Sequence, residues 1–210
     1  SFSIDITDHL NNTGKTIVAV KVDNADQPNS RWYSGCGIYR NVWLRVKNDV
    51  CIPKDGTFIT TSDNNIDLVA TIENSATADR KIKIVTTVSD SNGKKVASTS
   101  TKTVIAHNSN SEVKQTLKIK SPALWSPASP TLYTVKTEVI DNKTGETLDV
   151  DETRTGFRSF KFDAEKGFFL NGVHMKLNGV CLHHDAGALG AVVNRAAIAR
   201  QLRMLKAMGC

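Results

Sequence analysis

Six stretches within the first 155 residues alternate apolar and polar side chains with a period of two. They are Ile17–Val22, Val42–Val46, Ile66–Ile72, Lys81–Ile84, Leu117–Ile119 and Tyr133–Val139. Period two sends every second side chain to one face of a strand, whereas a helix would need a period near 3.6. Residues suited to tight turns separate the runs: Asp55-Gly56, Ser91-Asn92-Gly93 and Asn142-Lys143-Thr144-Gly145. Short alternating strands joined in this way predict a mainly β fold built as a sandwich.

The remaining composition narrows the function classes. A chain of 210 residues has room for one or two domains. At 40% apolar and 23% charged it is ordinary globular material, which excludes a collagen, a disulfide-dense toxin and a disordered tail. No run of about 18 apolar residues occurs, so no membrane span is expected. The net charge of +6 comes from basic residues that are spread out, without aromatic interleaving, and nucleic acid is not an expected partner. The four cysteines, Cys36, Cys51, Cys181 and Cys210, form no CxxC pair. Free thiols are expected rather than a zinc site or redox pair, which leaves the compartment open. The chain lacks an initiator Met, a charged n-region and an apolar h-region, so Ser1 reads as a processing boundary.

Three regions follow along the chain. Residues 1–52 hold about three strands, too few to bury a core unaided, and look like the end of a sandwich opened at its N-terminal side. Residues 53–156 hold about seven strands, the number and length of an immunoglobulin-like sandwich. Pro53-Lys54-Asp55-Gly56 is the expected joint between them. Pro122 and Pro127 stiffen the connection Ser121–Pro127, and Trp125 is expected at the sandwich edge. From 157 to 210 the character changes. Asn171-Gly172 between apolar runs predicts a type I′ hairpin, and Lys176–Leu182 reads as a further extended run. Asn194 is a suitable N-cap for a helix carrying Ile198, Leu202 and Leu205 on one stripe, and Gly209 suits the position just past its end. A single βα unit has nothing to cover its apolar faces. This region therefore reads as the start of an α/β domain, with the helix stripe docked on the sandwich or on another copy in a homo-oligomer.

Three stretches together resemble glycoside hydrolase family 2, the β-galactosidase and β-glucuronidase group. The first is Arg31-Trp32-Tyr33-Ser34-Gly35-Cys36-Gly37-Ile38-Tyr39-Arg40-Asn41-Val42-Trp43-Leu44, similar to the end of that family's sugar-binding jelly-roll domain. The second is Leu124-Trp125-Ser126-Pro127 with Pro130-Thr131-Leu132-Tyr133, similar to the end of its immunoglobulin-like domain. The third runs from Gly156-Phe157-Arg158 through Leu170-Asn171-Gly172 to Gly179-Val180-Cys181-Leu182-His183-His184-Asp185, similar to the entry into its catalytic (β/α)8 barrel. The resemblance implies an immunoglobulin-like sandwich flanked by the end of a jelly-roll and the first βα unit of a barrel. It implies a retaining exo-glycosidase without a cofactor. Such enzymes need two carboxylates about 5–5.5 Å apart. In the family both glutamates lie on later barrel strands, beyond Cys210, so no catalytic residue is assigned here and the chain is expected to be inactive alone. Asp163 and Glu165 precede the hairpin on the non-catalytic side, and Asp185 has no partner for a two-step displacement. A β-galactoside or related glycan is the implied substrate, with Gly187-Ala188-Leu189-Gly190 leaning toward galactosidase by resemblance only. A scavenged glycan would suit the periplasm or the exterior.

The polar cluster His183-His184-Asp185 carries the most chemical promise. Neighbouring strand residues face opposite ways, so His183 and His184 would not share a metal, and His183 with Asp185 gives only two ligands. Structural histidines satisfied by loop groups are a second reading. Substrate contact is the third: a neutral imidazole can donate to one sugar hydroxyl and accept from another, and the C-terminal ends of barrel strands are where substrates bind. By resemblance His183 matches the family histidine that contacts the non-reducing sugar. Trp32 and Tyr33 are candidates for a sugar-stacking edge, Trp43 for the sandwich core, and Arg40 for an ion pair between domains. The alternative from another class is a non-catalytic immunoglobulin-like module that binds a glycan or a protein.

Overall fold

The computed structural model describes residues 2–11, 13–23, 25, 37–183 and 186–210. It divides into two compact units, Leu44–Leu177 on the one hand and Ser1–Trp43 with Asn178–Cys210 on the other. In chain order the strands are β1 (Val50–Cys51), β2 (Thr57–Ser62), β3 (Asn65–Asn74), β4 (Arg80–Ser89), β5 (Lys95–Ile105), β6 (Ser109–Lys118), β7 (Tyr133–Asp141), β8 (Thr147–Thr155), β9 (Phe160–Asp163), β10 (Gly167–Leu170) and β11 (Val173–His174), followed by the helix α1 (Arg195–Ala207). The chain is thus mainly β, with antiparallel sheets.

The Leu44–Leu177 unit is built on the alternation seen in the sequence. One sheet joins β2 and β6 to either side of β3, with β1 pairing the end of β3; the other runs β5-β4-β7-β8. Ile66, Leu68, Ala70 and Ile72 of β3 are buried on one face. Ile82, Ile84 and Val88 of β4 and Val135 and Val139 of β7 meet them from the second sheet in one core. Each such side chain contributes about 1.5–3 kcal/mol by leaving water. Seven long strands lie between Thr57 and Thr155, the number the alternation and turns lead one to expect. Among the polar side chains inside the core, Asn74 is the most extensively bonded, whereas Gln115 donates from Nε2 to Thr101 and Ile84 and leaves its Oε1 without a partner among the described residues. The fully buried Asn74 amide donates to the carbonyls of Ala78, Ile105 and Ala106, each at 3.1 Å, and ties the crossing from β5 to β6 to the end of β3.

A third sheet, β11-β10-β9, belongs to the same unit. Its β10–β11 turn is the expected one: Asn171 and Gly172 have φ of 51° and 79°, the left-handed pair that a type I′ turn requires. β9 was not expected, although Phe160-Lys161-Phe162-Asp163 does alternate; at four residues the run is too short to stand out.

The chain before β1 and after β11 departs from expectation. Among the described residues before Val50 there is a single 3-10 turn, Thr7–His9, and no strand. Ile17–Val22 and Val42–Val46 alternate, yet Ile17 is 88% and Val46 83% exposed. A strand exists only by pairing its backbone groups with a neighbour, and alternation alone provides no neighbour. Trp43, expected in a core, is 78% exposed for the same reason. Lys176–Leu182 likewise joins no ladder. The helix α1 forms as its end signals require. The Asn194 side chain accepts from the Ala197 amide at 3.1 Å, and past the last turn Gly209 takes φ 93° while the Cys210 amide donates back to Leu205. No residue of α1 is buried; on its stripe Ile198 and Leu202 are exposed and Leu205 is half-buried.

Candidate functional site

His183 lies in the irregular stretch after Leu182 and is exposed. His184 and Asp185 lie outside the described residues, as do Trp32 and Tyr33, so the structure describes one member of the His-His-Asp cluster. The chain near His183 is held by local contacts within its own unit. Before it, the Asn178 side chain donates to the Gly209 carbonyl at 3.4 Å, at the end of α1. After it, a 3-10 turn at Gly187–Leu189 is closed by the Gly190 amide donating to the Gly187 carbonyl at 2.9 Å, with Gly190 at φ 59°. The Ala186 amide donates to the Gly190 carbonyl at 2.9 Å, which completes a tight loop before Asn194 starts α1. An exposed imidazole between two such anchored points can exchange hydrogen bonds with a hydroxylated ligand.

The other candidates fall into place by chemistry. Asp163 accepts from the amides of Lys166 and Glu165 at 3.0 and 3.1 Å, with Lys161 at 3.3 Å. These bonds, led by that from Lys166, hold its carboxyl below the usual carboxylate range. A general acid needs the opposite shift, so Asp163 is a turn-forming residue. Arg40, expected in an ion pair, lies over the Tyr39 ring at 5.8 Å and joins no ion pair among the described residues. Among the described residues no three His, Cys, Asp or Glu side chains come together to hold a metal ion. Cys51 is buried, and that burial pushes its thiol upward, away from the reactive thiolate. Cys181 and Cys210 are exposed and free.

Trp125 does sit at the sandwich edge, and with Gly156–Arg158 it makes the best-defined junction in the molecule. The Trp125 amide donates to the Phe157 carbonyl at 2.7 Å, and Leu124 bridges Phe157 in parallel. Phe157, 1% exposed, meets the Tyr133 ring edge-on at 5.2 Å. The Tyr133 hydroxyl accepts from the Ala123 amide at 2.9 Å. Arg158 stacks over Trp125 at 5.4 Å.

The pattern of glycosyl hydrolases family 2 matches residues 54–158, which run from the Pro53–Gly56 turn through the whole sandwich to that junction. The chain belongs to this family. The β-galactosidase BoGH2A of Bacteroides ovatus is 43% identical over all of the chain, which covers 25% of that protein. A protein named as a putative β-glucuronidase, from Formosa agariphila, is 36% identical over all of the chain, which covers 20% of it. Among solved structures, a family 2 member from Bacteroides cellulosilyticus superposes with a TM-score of 0.83 at 34% identity, covering 90% of this chain and 26% of that one. The chain therefore spans about a quarter of the length of the family 2 relatives it matches.

Proposed function

We propose that this chain forms part of a retaining exo-β-glycosidase of the β-galactosidase type. The observation that carries the reading is the 43% identity, along the whole chain, to a family 2 β-galactosidase. In this reading residues 1–52 end a sugar-binding jelly-roll, residues 53–156 form an immunoglobulin-like brace, and residues 157–210 open a (β/α)8 barrel. The acid/base and the nucleophile, two glutamates about 5–5.5 Å apart, come from barrel strands beyond this chain. His183, with His184 and Asp185, contacts the non-reducing sugar. Its exposed imidazole matches that role, because it can serve a sugar hydroxyl as donor or acceptor without a change in charge. The substrate is a terminal β-galactoside. A terminal β-glucuronide is the second reading, favoured by the 36% identity to a protein named for that activity.

The test is turnover of chromogenic β-galactoside and β-glucuronide by the full-length protein and by the 210-residue chain. Release of the chromophore from the galactoside by the full-length protein alone is expected. Turnover by the 210-residue chain would overturn the placement of the glutamates, and no turnover of either substrate by the full-length protein would overturn the enzyme reading. In the full-length protein His183→Ala is expected to lower kcat/KM about tenfold or more, the loss of at least one hydrogen bond. Its melting temperature should move by no more than a few degrees, because the residue is exposed. An unchanged kcat/KM would remove His183 from the site.

A further inference from the structure

The third sheet is bonded to the sandwich's β6–β7 connection through the side chain of Asn171. Asn171, at the tip of the β10–β11 turn, donates from Nδ2 to the Trp125 carbonyl at 3.0 Å. Its Oδ1 accepts from the Ser159 amide at 3.0 Å, and its own amide donates to the Ser159 carbonyl at 2.8 Å. One residue thus joins the hairpin tip, the chain entering β9 and the proline-bounded connection of the sandwich. Asparagine suits this position twice over. It tolerates φ 51° at low cost, and it carries a donor and an acceptor on one planar group. The chain crosses between the two bodies at Gly156. A Cβ there would stand 3.0 Å from Trp125 Cβ and 3.2 Å from the Thr131 carbonyl, so the crossing point itself is closely packed.

We infer that Asn171 is a positioning residue: its bond to Trp125 fixes the orientation of the three-stranded sheet on the sandwich, so that residues 44–177 move as one rigid body. The packing at Gly156 limits where the chain crosses, and Asn171 sets the remaining angle by holding a second strand, β10, to the Trp125 carbonyl beside that crossing. This inference stands on geometry and does not depend on the glycosidase reading.

Two variants of the full chain separate orientation from folding. Asn171→Gly keeps the left-handed turn and removes both side-chain bonds. Asn171→Asp keeps the acceptor for Ser159 and removes the donor to Trp125. Residual dipolar couplings report whether two bodies share one orientation. A single alignment should fit both the sandwich and β9–β11 in the wild type. In both variants each body should fit an alignment of its own, with its strand pairing intact. Amide exchange at Asn171 and through β10 should rise about tenfold while β3 and β4 are unchanged, as expected for losing a net hydrogen bond in one local unit. One alignment fitting both bodies in the variants would overturn the inference, and so would two alignments in the wild type. Loss of the β9–β11 pairing in both variants would also overturn it, since Asn171 would then be holding the sheet together rather than orienting it.

Discussion

Strand β3 and the stretch Ile17–Val22 carry the same alternating pattern and end in opposite states. In β3 the apolar set Ile66, Leu68, Ala70 and Ile72 is at most 1% exposed. In the other stretch Ile17, Val18, Val20 and Val22 are 45–88% exposed. The difference lies in partners. β3 pairs along all ten of its residues with β6 and along six with β2. The earlier stretch pairs with nothing among the described residues. Alternation makes a segment able to become a strand, and the ladder that buries it must come from elsewhere in the chain.

The largest expected effect probes this contrast directly. Ile84→Ala, in the core of β4, should cost about 3 kcal/mol through lost burial and the cavity left behind. Ile17→Ala should stay within about 0.5 kcal/mol. Urea unfolding of the two variants measures both, and a large cost at Ile17 would show that its stretch is buried in solution. Next comes Gly156→Ala, expected to cost about 2 kcal/mol because the added methyl meets Trp125 and a backbone carbonyl. A neutral result in the same unfolding experiment would mean that the junction has slack.

A smaller effect tests where the sandwich unit begins. Asp149, 9% exposed, accepts from Lys47 at 2.7 Å and from the Ile52 amide at 2.8 Å, drawing the chain before β1 onto β8. Asp149→Ala strands the Ile52 amide, in a residue only 2% exposed, and should cost about 1.5 kcal/mol. Asp23→Ala removes the 3.9 Å contact with Lys21 and the exposed 3.2 Å bond from the Ala25 amide, both open to solvent, and should cost no more than about 0.5 kcal/mol by thermal melting.

The smallest effect is a pH dependence. The Asp141 carboxyl is held low, first by the Thr144 amide and then by that of Lys143. A carboxyl lowered on folding adds stability that is present above its unfolded pKa, near 3.9, and is lost as pH falls through the folded value. The sandwich should therefore lose melting temperature on acidification below about pH 4, and Asp141→Asn should flatten that fall slightly. Asp5 is lowered too, by the Thr7 side chain, but in a 3-10 turn that buries no residue, whereas Asp141 ends the core strand β7. Asp5→Asn should leave the acid slope unchanged, and a flattening there would tie the two regions into one transition.

The candidate site was legible in a different way from the fold. His183 stands out in the sequence by its neighbours and by its resemblance to the family pattern, whereas no periodicity or spacing marks it. Its partners His184 and Asp185 lie outside the described residues. Asn171 stands out only as half of an Asn-Gly turn. Its bond to Trp125 joins residues 46 positions apart, and no local pattern signals that contact.

What the sequence determined by itself were the short-range choices: the Asn171-Gly172 turn, the Asn194 cap, the stop at Gly209 and the four alternating runs between Ile66 and Val139. Each depends on the sterics and hydrogen bonding of residues within a few positions of one another. Tertiary structure alone decided the strand order β5-β4-β7-β8, the parallel contact of Leu124 with Phe157, the clamp at Asn171 and the exposure of Trp43. Those depend on which distant segment supplies the hydrogen-bonding partner and the covering surface, and that information is carried by the assembled chain rather than by any stretch of it.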